Sequence, residues 1–134
     1  MSHWLARTAF AASLALGAPA LAQDILIGIP SSLSGVVGVA DHGDWMNGVN
    51  MAVEAINGAG GVNGRMLRTE VVDIDLLSPE GTVGAIQALN SRGVHAIASA
   101  FIIIPQPAMD AAAVTGVPYP VSYTHLTLPT NREV

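Results

Sequence analysis

The chain has 134 residues, about half of them hydrophobic, with ten acidic residues against five basic ones and a net charge of −5. That length allows one small domain at most, and without a basic stripe to displace counterions no nucleic-acid partner is expected. There is no cysteine, so the core must hold the fold without disulfides.

The first residues read as a secretory signal. Arg7 supplies a positive start, Thr8 to Leu16 form an apolar run, and Gly17 and Pro19 break it. Ala20-Leu21-Ala22 then offers the small-x-small pattern a signal peptidase needs, which predicts cleavage between Ala22 and Gln23. The run is too short to cross a bilayer of roughly 30 Å, and no cysteine follows to carry a lipid. The expected product is a soluble periplasmic protein lacking residues 1–22.

Strand and helix patterns then alternate. Ile25 to Ile29 is a short apolar run, as a buried parallel strand would be. A Ser- and Gly-rich loop covers 30–43. A helix is predicted from Asp44 to about Asn57, with Met46, Val49, Val53 and Ile56 on one face. The glycines between Gly58 and Gly64 stop it. Leu67 to Ile74 reads as the second strand. Ser78-Pro79-Glu80 combines a capping hydroxyl, proline in the first turn and an acid at the positive helix end. That helix should run to Arg92 and stop at Gly93. Val94 to Ser99 reads as the third strand, Pro105 to Val114 as a third helix closed by Gly116, and Val117 as the start of a fourth strand.

Three β-α units in series predict an α/β fold, a parallel sheet with helices on its faces. Ligands of such sheets sit beyond the carboxyl ends of the strands, which singles out the loops 30–43, 75–77 and 100–104. The 58–64 loop lies at the other end and should be structural. From Val121 the pattern collapses: Val-Ser-Tyr-Thr-His-Leu-Thr-Leu-Pro-Thr over 121–130 resembles the translation of a transposon-derived sequencing adapter. Residues 121–134 are therefore read as a non-native tail.

No pattern points to catalysis. Gly58-x-Gly60-Gly61-x-x-Gly64 follows a helix and precedes a strand, whereas a phosphate loop needs the reverse order. Asp73-x-Asp75 lacks the later ligands of a calcium loop and reads as a strand-end pair interacting with the next helix start. His42 and His95 lie far apart in the predicted layout, so no zinc site is expected.

Four segments carry a family resemblance. They are Ile25–Ile29 with Leu33-Ser34-Gly35, Gly43 and Gly48; Ala52-Val53-Glu54-Ala55-Ile56-Asn57-Gly58-Ala59-Gly60-Gly61-Val62-Asn63-Gly64-Arg65; Val71-Val72-Asp73 with Ser78-Pro79; and Gly93-Val94-His95-Ala96-Ile97 with Gly116-Val117-Pro118. In order and spacing they resemble the N-terminal lobe of branched-chain amino-acid-type, leucine-binding ABC transporter substrate-binding proteins. The resemblance implies a two-lobed type I periplasmic binding protein, of which 23–120 would be a partial first lobe. It implies a monomer when full length that closes on a small solute (an amino acid, amide or small carboxylate) and delivers it to an inner-membrane permease, with no cofactor, metal or covalent chemistry. A ligand-sensing domain of the same fold is the alternative function, and an exported α/β enzyme a more distant one.

The same resemblance places candidate ligand contacts at Ser34 and His42 in the first loop and at Phe101, Ile102 and Ile103 in the loop after the third strand. His42 stands where leucine-type binders often place an aromatic residue, and Ser34 offers a hydroxyl donor. The family commonly has Gly-x-x-Ser in the second loop, whereas Ile103 occupies the serine's place here. Three isoleucines offer no side-chain donor, and Pro105 and Pro107 remove two backbone donors. This departure speaks against an α-amino acid held in the usual way and for a more apolar, or differently held, solute.

Overall fold

The computed structural model of the chain describes residues 23–120; the readings of 1–22 and 121–134 fall outside them. The elements alternate as expected: β1 (Ile25–Ser31), α1 (Val39–Gly58), β2 (Leu67–Asp73), α2 (Pro79–Ser91), β3 (Ala96–Ile97) and α3 (Pro105–Thr115). The strands form one parallel sheet in the order β2-β1-β3. From β1 the chain steps to β2 on one side, then α2 carries it across to β3 on the other. With right-handed crossovers in both steps, that reversal puts α1 and α2 on opposite faces.

β1 is flanked on both sides, which is why an unbroken apolar run suits it. It pairs with β2 from Ile25↔Leu67 to Ser31↔Asp73. Its pairing with β3 covers only Ile27↔Ala96 and Gly28↔Ile97, extended by bonds from the His95 and Ala98 amides to the Leu26 and Gly28 carbonyls. The main core joins Ile86 and Leu89 of α2 to Val94, Ile97, Ala108 and Ala112, with Leu26 and Val72 packed against it. Gly28 makes this approach close: a Cβ there would stand 3.2 Å from three Leu89 side-chain atoms.

The helix ends expected of α2 and α3 are found. Ser78 accepts a hydrogen bond from the Gly81 amide at 3.0 Å, and Gly116 closes α3 in the left-handed region at φ 71°. The Gly58–Gly64 turn lies at the amino end of the sheet, where the Arg65 guanidinium donates to the Gln23 and Asp24 carbonyls. Gly61 is its tightest point, because a Cβ would stand 2.1 Å from the Arg65 carbonyl oxygen.

Four expectations need correction. Helix α1 begins at Val39 rather than Asp44, because Gly38 turns left-handed (φ 76°) and starts it early. Its expected inner face is only half-buried at Met46, Val49 and Val53 and exposed at Ile56, since α1 packs chiefly along β2. The third strand shrinks to Ala96–Ile97. No strand forms at Val117–Pro120 among the described residues: the Ile97 amide donates to the Pro118 carbonyl at 2.9 Å, but Pro118 and Pro120 have no amide to return.

Candidate functional site

The reversal of strand order falls between β1 and β3, and at such a point the loops leaving the carboxyl ends of neighbouring strands part to form a crevice. Here these are loop 32–38 after β1 and loop 98–104 after β3, with loop 74–78 after β2 alongside.

One side chain ties the first two together. His42, fully buried in the first turn of α1, accepts a hydrogen bond at Nδ1 from the Ser32 amide at 2.9 Å, with Ser31 Oγ 3.3 Å away. A backbone amide can only donate, so Nδ1 is bare and the ring proton sits on Nε2. Nε2 then donates to the Phe101 carbonyl at 3.0 Å. The Phe101 ring meets the imidazole edge-on, centroids 5.1 Å apart at 76°. Ser32 adds a bond from its hydroxyl to the Val37 carbonyl at 2.9 Å.

Asp73, at the end of β2, anchors the same first loop. Oδ1 accepts from the Leu33 amide at 2.7 Å and the Ser34 amide at 3.3 Å, and Oδ2 accepts from the Ser34 hydroxyl. The Ser34 hydroxyl first, then the Leu33 amide, hold the Asp73 carboxyl below its ordinary range. Asp75 does not share this task; its Oδ1 accepts from the Leu77 amide at 2.9 Å, a local turn ahead of α2.

A second, smaller core of Ile74, Leu76, Ala85 and Ile102, with Val37, Val72 and Phe101 against it, seats all three loops. Above it, large apolar side chains stay in solvent: Leu33 and Val36 after β1, Leu77 after β2, Ile103 and Ile104 after β3. The start of α3 offers little to an anion. Ile104 gives no side-chain cap, and prolines at 105 and 107 leave the Gln106 amide between them.

The sequence-derived candidates therefore separate by depth. Ser34 is exposed but engaged with Asp73, Phe101 is half-buried, and Ile103 is exposed. His42 belongs to helix α1 rather than to the loop, and it and Ile102 are buried: His42 is enclosed and Ile102 is 4% exposed. The sequence reading missed the anchoring of the first loop by Asp73 and the buried Ser31 and Ser32. It paired Asp73 with the next helix start, whereas the carboxylate reaches back across the sheet. Depressions of about 350 and 410 Å³ lie elsewhere, between α2 and α3 around Val83, Gln87 and Pro107.

Residues 24–132 match the periplasmic binding protein family. The chain belongs to that family. The match runs on through 121–132, the segment that the sequence reading sets apart. Among solved structures, a protein of Silicibacter pomeroyi assigned to branched-chain amino acid ABC transport superposes with a TM-score of 0.67 at 28% identity over 72% of this chain. A protein of Rhodopirellula baltica named for leucine, isoleucine and valine binding gives the same score at 19% identity over 77% of the chain, a likeness of fold. This periplasmic binding protein chain spans about a quarter of each, 24% and 28% of their lengths. No curated protein matches it.

Proposed function

We propose that this chain is part of the first lobe of the periplasmic solute-binding component of an ABC transporter. It forms one wall of a cleft that captures a small solute (an amino acid, an amide or a small carboxylate) for an inner-membrane permease. The observation that carries this reading is the crevice at the β1/β3 reversal, braced from below by His42, in a chain that belongs to the periplasmic binding protein family.

The proposed mechanism is physical. A solute that contacts both lobes binds the closed arrangement more tightly than the open one, and this difference shifts the population towards closure. The permease then recognises the closed form. This lobe's part is to hold its wall in shape. His42 and Ile102 act from beneath, fixing the backbone of loops 32–38 and 98–104, while Ser34, Phe101 and Ile103 form the surface that meets the solute. No step needs a covalent intermediate.

The test uses the native gene product with both lobes. Small-angle scattering should show contraction on adding the correct member of a panel of amino acids, amides and short carboxylates. A radius that no member of the panel changes, with no heat of binding, would overturn the reading. Export is tested separately: N-terminal sequencing of periplasmic material should begin at Gln23.

A further inference from the structure

Asn47, Asn57 and Asn63 each stand directly before a glycine. Such a pair can close on itself, which is one source of the thermal lability of asparagine. Once a base has taken its proton, the glycine amide nitrogen attacks the asparagine side-chain carbon, and a glycine, having no Cβ, leaves that approach open. The reaction needs a glycine amide outside the hydrogen-bonded ladder, a side chain able to turn, and water. On these terms the three pairs differ.

Asn47-Gly48 and Asn57-Gly58 lie inside α1, where each glycine amide donates to the carbonyl four residues back. Asn57 is restrained a second time through its side chain. Its Nδ2 donates to the Leu67 carbonyl at 2.9 Å, and its Oδ1 accepts from the Leu67 amide at 2.8 Å. Asn63-Gly64 has neither restraint. The two residues are the centre of a tight turn, with Asn63 at φ 52° and Gly64 at φ 78°. Positive values at both positions are what a two-residue hairpin turn demands and what Asn-Gly supplies. Val62 and Arg65 close the turn by exchanging amide-to-carbonyl bonds of 2.8 and 3.0 Å. Neither bond uses the Gly64 amide, and among the described residues neither that amide nor the Asn63 side chain has a hydrogen-bond partner. Both residues are exposed.

We propose that Asn63 is a self-modification site, whose reactants are its own side chain, the Gly64 amide and water. The Gly64 nitrogen bonds to the Asn63 side-chain carbon, the bond from that carbon to the side-chain nitrogen breaks, and ammonia leaves with the proton the Gly64 amide gave up. Water then adds to either carbonyl of the cyclic imide and opens it, giving aspartate or isoaspartate. The net change is water in, ammonia out and a carboxylate gained, with nothing oxidised or reduced. In the isoaspartate product the backbone runs through the former side chain and is a methylene longer, so the Val62–Arg65 exchange loses its register. The change falls at the amino end of the sheet, beside the arginine that holds Gln23 and Asp24. Solute capture plays no part in it.

The experiment incubates the complete gene product at mildly alkaline pH, folded in one sample and unfolded in urea in another. Fragment-ion mass spectrometry follows the replacement of NH by O at each asparagine, and the incubation runs until all three pairs have converted measurably in urea. In the folded sample Asn63 should convert at least tenfold faster than Asn47 and Asn57. In urea the three rates should lie less than threefold apart, because the sequence context is then all that remains. Asn47 or Asn57 keeping pace with Asn63 in the folded protein would overturn the proposal. So would an Asn63 that stays intact when folded while it converts in urea.

Discussion

His42 has no polar atom left over: one ring nitrogen takes the Ser32 amide and the other gives its proton to the Phe101 carbonyl. Removing the ring strands a buried amide, at a cost of about 1–3 kcal/mol. His42→Ala should therefore lower unfolding stability in urea by about that amount. His42→Asn, whose amide oxygen can stand where Nδ1 stood, should recover roughly half of it. Asp73 acts on the same loop through charge. Its carboxyl titrates lower in the folded chain than the ordinary value of 3.8, so its anchoring is fully present above about pH 4 and is lost as pH falls through the folded pKa. In an NMR titration the Leu33 and Ser34 amides should move only in that acid range, and Asp73→Asn should abolish the movement. Neither anchor was legible in the sequence as an anchor. His42 lies ten residues beyond Ser32, and Asp73 lies forty beyond Leu33. The Asp73 contact depends on strand register, Ser31 beside Asp73, and the His42 contact on how α1 folds back over its own loop; no local pattern encodes either.

At the scale of elements, what local chemistry dictates was readable and what tertiary contact dictates was not. Ser78, Pro79 and Glu80 start α2, and Gly116 ends α3, through interactions within a single turn. The start of α1 escaped notice because it needs a left-handed Gly38 and a histidine buried by distant loops. β3 was overestimated for a related reason: its apolar run is long enough for a strand, but its length is set by partners on either side. Alternation placed Ser34, Phe101 and Ile103 in loops, but it drew the first loop as 30–43 where the structure has 32–38, and it gave no depth for the side chains within them. The α2 helix seats the core, so Leu89→Ala should cost about 2–5 kcal/mol in chemical denaturation, the site being fully enclosed. Gly61→Ala tests the turn at the opposite end. Its Cβ would collide with backbone at a residue with φ 74°, so thermal unfolding should shift downwards while the amide spectrum of the crevice loops stays unchanged.

At the scale of the molecule, the proposed function makes this chain one wall of a cleft, a surface rather than a pocket; depressions among the described residues lie between α2 and α3. This chain on its own should therefore bind the cleft's solute at least a hundredfold more weakly than the two-lobed protein, as calorimetry on both would show. The sheet adds a further asymmetry. β1 is laced to β2 over seven residue pairs and to β3 over two, and the crevice lies above the sparser seam. A sheet stitched this way has a stiff side and a compliant side. His42 spans that sparser seam, joining the Ser32 amide after β1 to the Phe101 carbonyl after β3, so a hydrogen-bonded side chain adds a cross-link where the backbone ladder is shortest.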